Sequence, residues 1–91
     1  MRYVFPAVFR KQTDVAGYHI FFPDIQGAGT VGEDLYDGID MAQDWLCGRL
    51  FEMEENGEIV PRPSDTNEIK YEKDDIVTLI ATDTDNYRHF L

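Results

Sequence analysis

Asp24 follows Pro23 at the end of the aromatic stretch "GYHIFFPDIQG", residues 17–27, and Asp14 and Glu33 fall near it in the amino-terminal third of the chain. Converging carboxylates are what two-metal phosphodiester chemistry requires, because two divalent ions about 4 Å apart need several acids to hold them. An aspartate after proline also suits the third position of a β-turn, where its side chain bonds nearby amides. The second use is the expectation: Pro23, Asp24 and Gly27 make a structural turn, and no catalytic residue is assigned. His19 lies between Tyr18 and Ile20 in a strand-like run without a cysteine beside it, the setting of a packed or surface histidine and not of a nucleophile's base. His89 is too distant in sequence for zinc-ligand spacing, so no metal and no other cofactor is expected. Gly27, Gly29 and Gly32 spell G-x-G-x-x-G, but they follow a hairpin instead of opening a βαβ unit, which argues against a dinucleotide site.

The composition narrows the class. Ninety-one residues with 43% apolar content form one domain with one core. A single cysteine, Cys47, leaves no internal disulfide and suits a reducing compartment, and no leader pattern or membrane-length apolar run is present. A cytoplasmic protein without membrane contact is the expectation. The net charge of −10 disfavours phosphate binding, which needs a lysine and arginine surplus, and points to a basic partner or to simple solvation. The charge is concentrated. Residues 33–56 hold eight acids and one base, whereas residues 1–32 hold two acids and three bases.

The elements that must position these residues follow from periodicity. Residues 2–10, "RYVFPAVFR", place Tyr3, Phe5, Ala7 and Phe9 in alternate positions of a strand, with Pro6 favouring a sheet edge or a bulge. "YHIFF" returns as the second strand of an antiparallel hairpin, and a short third strand is expected near residues 28–31. Residues 33–56 carry Leu35, Ile39, Ala42, Leu46, Leu50 and Met53 along one helical face, with Gly38 at its margin, Thr30 or Glu33 as cap, and Asn56-Gly57 as stop. Trp45 and Tyr36 flank that face as packing residues. After the proline-punctuated "IVPRPS", "IVTLIAT" at residues 76–82 is a β-branched strand, and a short helix or a frayed end follows Asp83. The fold class is α+β, in the order βββαβ.

Glu33, Asp37, Asp40 and Asp44 fall at helical spacing on the far side of the helix, near Cys47 and Phe51. Like charges at such spacing each cost some tenths of a kcal/mol on an isolated helix. The stripe is therefore either a solvated face or a surface for a basic partner, with Phe51 as an apolar anchor.

Taken together, "YVFPAVF" (3–9), "GYHIFFPDIQG" (17–27), "TVGEDLYDGIDMAQDWL" (30–46), "GEIVPRPSD" (57–65) and "IVTLIATDTDNYR" (76–88) resemble the amino-terminal domain of HicB antitoxins over nearly the whole chain. The resemblance implies a partial ribonuclease-H-like fold, a three-stranded antiparallel meander with one long helix and a further strand. It also implies a role as the antitoxin of a type II toxin–antitoxin system that binds and neutralises HicA, a small basic mRNA-cleaving toxin, and a tendency to form homodimers. Residues 1–82 then make the toxin-binding domain, and residues 83–91 a tail where a DNA-binding segment begins in longer members. No DNA binding is expected from these residues themselves. Ala28 stands where many members have a cysteine, so no thiol role carries over. The competing readings are an orphan interaction module of the same fold and a metal-dependent nuclease built on Asp24.

Overall fold

The computed structural model describes residues 1–88. Its longest strand, β1 (Arg2–Lys11), turns back through a loop closed by the Gln12 N–H donating to the Gly17 carbonyl at 3.0 Å, with Gly17 at φ 109°. β2 (Tyr18–Phe21) pairs antiparallel with β1, and β3 (Thr30–Gly32) pairs antiparallel with β2. The long helix α1 (Leu35–Glu55) then crosses the sheet, and β4 (Ile76–Asp83) pairs antiparallel with β1 on its other side. The strand order is β3-β2-β1-β4, and a five-residue helix, α2 (Thr84–Arg88), follows β4 directly. The α+β class and the element order expected from periodicity are present, with β3 shifted slightly towards the carboxyl end of its expected range.

Pro6 therefore lies in a central strand and not at an edge. The reason it fits is register. The Thr84 N–H donates to the Met1 carbonyl, so the odd residues of β1 bond to β4 and the even ones face β2. The β2 pairing covers only Val8 to Lys11, so the flank that Pro6 faces has no strand whose hydrogen bond the missing N–H would break.

The odd residues Phe5, Ala7 and Phe9 meet Ile20, Phe22, Ile25, Ile80 and the buried face of α1 in one core. That helix face is Gly38, Ala42, Leu46, Leu50 and Met53. The expectation of Leu35 and Ile39 as core residues is corrected, since each is 42% exposed, whereas Gly38, expected at the margin of that face, is buried. Glycine sets how closely the start of the helix approaches the sheet. A Cβ on Gly38 would stand 3.0 Å from the Phe9 ring and 3.1 Å from Ile20, and one on Gly32 would stand 2.4 Å from the Gly38 Cα. Backbone packs on backbone here, which larger side chains on this face would prevent. Tyr36, expected as packing, is 82% exposed, whereas Trp45 stacks on Phe22 with ring centroids 5.4 Å apart.

The opposite sheet face carries the buried Pro6 and Val8, and the largely irregular segment 57–75 is fastened beside it. Arg10 lies over the Phe21 ring and grips Asp75 through two bonds of 3.1 and 2.9 Å. A single 3-10 turn (Thr66–Glu68) is the segment's regular structure, and Ile69 after it is buried.

Candidate partner-binding surface

The amino end of α1 is organised by two aspartates. Asp34 is the N-cap, correcting the assignment to Thr30 or Glu33, and its carboxylate accepts from the Asp37 N–H at 2.8 Å. Asp37 in turn accepts from the Glu33 N–H at 2.9 Å. Anionic groups are favoured here by the free N–H groups and the dipole of the first turn. At the other end Asn56 closes the helix, and Gly57 adopts φ 68° so that the Glu58 N–H reaches the Met53 carbonyl.

The acidic stripe is thus divided by structure. Glu33 precedes the helix, and Asp37 is turned back into the cap. Asp40 and Asp44 remain as exposed carboxylates on the helix, with no cation of the described residues paired to them. The helix's one arginine, Arg49, faces away. It donates to the Gln26 carbonyl and lies 3.6 Å from Glu52 and 3.9 Å from Glu58. Phe51 is half-buried, its ring packed on Tyr87 of α2 at 4.8 Å. An anchor at Phe51 is consequently a joint Phe51–Tyr87 surface.

Other acids are engaged within the fold. Glu54 accepts from the Tyr3 hydroxyl at 2.7 Å and the Thr84 hydroxyl at 3.0 Å, and burial together with this carboxylate pushes the Tyr3 pKa up to about 12. The amino terminus pairs with Asp83 and Asp85, each at 3.1 Å. These contacts seat α2 against α1.

Asp24 is not a purely local turn residue. The turn is present, with the Ile25 N–H donating to the Phe22 carbonyl at 3.0 Å. The Asp24 carboxylate, however, reaches forty residues along the chain, accepting from the Ser64 N–H at 2.8 Å and its hydroxyl at 2.7 Å. Gly27, at φ 145°, leaves room for Trp45, whose indole a Cβ would meet at 2.5 Å. His19 is exposed, with Nε2 3.1 Å from the Ala28 carbonyl, and His89 lies outside the described residues. Among the described residues no three His, Cys, Asp or Glu side chains cluster as metal ligands, and no helix is long and apolar enough to cross a membrane.

The feature that sequence reasoning did not resolve is the outer edge of β4. Its odd residues point away from β1. At the carboxyl end α1 covers them: Gln43 donates to the Ala81 carbonyl at 3.2 Å and the buried Cys47 thiol to the Asp83 carbonyl at 3.5 Å. Beside this cap a groove of about 510 Å³ runs between α1, β4 and α2, lined by Asp44, Thr82, Asn86 and Tyr87 among others. Towards the amino end of β4 the helix does not reach the edge: Val77 is half-buried beside Thr66, Asn67 and Tyr71, and Leu79 is exposed. Their backbone groups bond to no other element among the described residues, and Leu79 is 56% exposed.

No family model matches the sequence, and no curated protein matches it either. Solved structures do. A chain of a toxin–antitoxin complex from Streptococcus pneumoniae superposes with a TM-score of 0.85 at 22% identity, covering 96% of this chain and 73% of that one. The antitoxin HicB of Burkholderia pseudomallei superposes with a TM-score of 0.72 at 24% identity, covering 86% of this chain and 61% of its own length. The chain has the fold of the HicB antitoxin. The Burkholderia HicB thus extends well beyond the part matched here. Within this HicB fold, α1 displays Asp40 and Asp44, β4 forms one sheet edge, and α2 ends the described residues against the carboxyl half of α1.

Proposed function

We propose that this chain is an antitoxin domain that binds a small, basic HicA-type ribonuclease and keeps it from mRNA, with no chemistry of its own. The observation that carries the reading is the superposition on a chain of a toxin–antitoxin complex over nearly the whole of this chain. The charge distribution agrees with it. A surface on which Asp40 and Asp44 lack internal cations attracts a cationic partner, speeding encounter, while burial of the joint Phe51–Tyr87 surface against the toxin supplies most of the affinity. Glu33 and Asp37 flank the same surface and add to its field. Asp24 serves the fold in this reading, each of its oxygens accepting one hydrogen bond from Ser64.

The test is a titration of the protein against a HicA toxin, following complex formation and RNA cleavage in one tube. Stoichiometric binding with loss of cleavage is the expected result. Unimpeded cleavage without a complex would overturn the reading, and cleavage by this chain without toxin would return Asp24 to the catalytic question.

A further inference from the structure

An edge strand offers a row of unpaired donors and acceptors to any chain that can lie beside it, and folded proteins generally cover or blunt such rows. β4 is covered over half its length only. Gln43 and Cys47 occupy the outward carbonyls of Ala81 and Asp83, while the outward N–H and C=O groups of Val77 and Leu79 have no hydrogen-bond partner among the described residues. Two kinds of occupant fit a free strand edge, a second copy of this chain or a strand of a different protein. Charge separates them. The groove beside the covered half is bordered by Asp44, and Asp40 lies one turn before it on the same helix, both without an internal cation. A second copy carries its own net charge of −10 and the same two carboxylates to the contact. An extended segment bearing lysine or arginine gains where the copy loses.

We infer that the toxin docks by adding a basic extended segment to β4 as a fifth strand, bonding to the backbone of Val77 and Leu79, with its cationic side chains directed to Asp40 and Asp44. The inference rests on the antitoxin reading and specifies its contact. Main-chain bonds supply register and affinity, and the two aspartates supply discrimination between partners. The arrangement also accounts for the partial cover: Gln43 and Cys47 shorten the available edge, so a long strand finds fewer free groups than a short one that stops at Leu79.

The experiment is residue-resolved amide hydrogen exchange on the full chain, free and bound to a cleavage-inactive variant of a HicA toxin. The amides of Val77 and Leu79 are expected to exchange rapidly in the free protein and to slow by about ten-fold or more in the complex, as hydrogen-bonded strand amides do. Leu79→Pro removes an outward donor without touching a bond to β1 and is expected to weaken toxin binding about ten-fold, whereas Leu79→Ala changes it little. If a complex forms while both amides still exchange freely, the toxin docks elsewhere and the edge inference is overturned, with the antitoxin reading intact. Protection in the free protein that rises with its concentration would place a second copy on the edge and also overturn the inference. If no complex forms at all, the antitoxin reading fails and the inference with it.

Discussion

Asp24 and Ser64 join the β2–β3 turn to the proline-punctuated segment through two short bonds, from the Ser64 N–H at 2.8 Å and from its hydroxyl at 2.7 Å. The contact holds residues 57–65 beside the sheet, where Val60 packs against the main core. Replacing Asp24 by alanine leaves two partly buried donors unpaired and is expected to lower stability by about 1–3 kcal/mol. Ser64→Ala keeps the backbone bond and costs less, about 1 kcal/mol. Urea unfolding of the two variants checks the order, and equal losses would mean that the hydroxyl carries the contact.

Gly32 and Gly38 set how closely α1 approaches the sheet. A methyl group at residue 32 meets the Gly38 backbone, which has no flexible end to move aside. Gly32→Ala is therefore expected to destabilise by about 3 kcal/mol, the upper part of the range for overpacking. At residue 38 the neighbours are side-chain atoms of Phe9 and Ile20, and alanine gains about 1 kcal/mol of helix propensity that offsets part of the crowding. Thermal unfolding is expected to rank Gly38→Ala between wild type and Gly32→Ala.

Stability is expected to be broad in pH and limited at both ends. The Arg10 guanidinium, with the Glu72 N–H, holds the Asp75 carboxyl below its ordinary value of 3.8, and the Asp85 N–H with the terminal ammonium does the same for Asp83. A depressed carboxyl pKa contributes fully above the ordinary value and is lost as pH falls through the lower folded value, so the acid limb begins below 3.8. The terminal ammonium, bonded to Asp85 and Asp83, is raised above 8.0, and its contribution disappears as pH rises through that raised value. Tyr3, held neutral up to about 12, adds a later alkaline loss. Urea midpoints across pH are expected to follow this profile, with Asp75→Asn weakening the acid limb. An unchanged acid limb in that variant would assign it to other carboxylates.

Charge reversal at Asp40 and Asp44 together tests the helix surface. Lysine at both positions is expected to slow toxin association by an order of magnitude or more at low salt and to flatten its dependence on ionic strength. Folding stability is expected to change little, since both side chains are exposed. Stopped-flow mixing at several salt concentrations reads both quantities, and an unchanged rate would leave these carboxylates a solvated face.

What the sequence determined by itself was the order and type of the elements. The alternation of Phe5, Ala7 and Phe9, the β-branched run from Ile76 and the Asn56-Gly57 stop are local signals, because each follows from the backbone geometry of a few neighbouring residues. The concentration of acid in residues 33–56 was equally plain, as was the Pro23-Asp24 turn. Which acids stay available for a partner was not. Asp37 is taken up by a cap and Glu54 by Tyr3 and Thr84, and only packing brings those last two to the helix. Periodicity placed Ala42, Leu46, Leu50 and Met53 on the buried face, but in the first turns a pattern of apolar residues counts the exposed Leu35 and Ile39 and gives the buried Gly38 no weight. Close backbone contact at Gly32 and Gly38 sets the packing of those first turns. The free edge of β4 and the reach of Asp24 to Ser64 were likewise decided by tertiary structure, since both join or separate chain segments that no sequence window holds together.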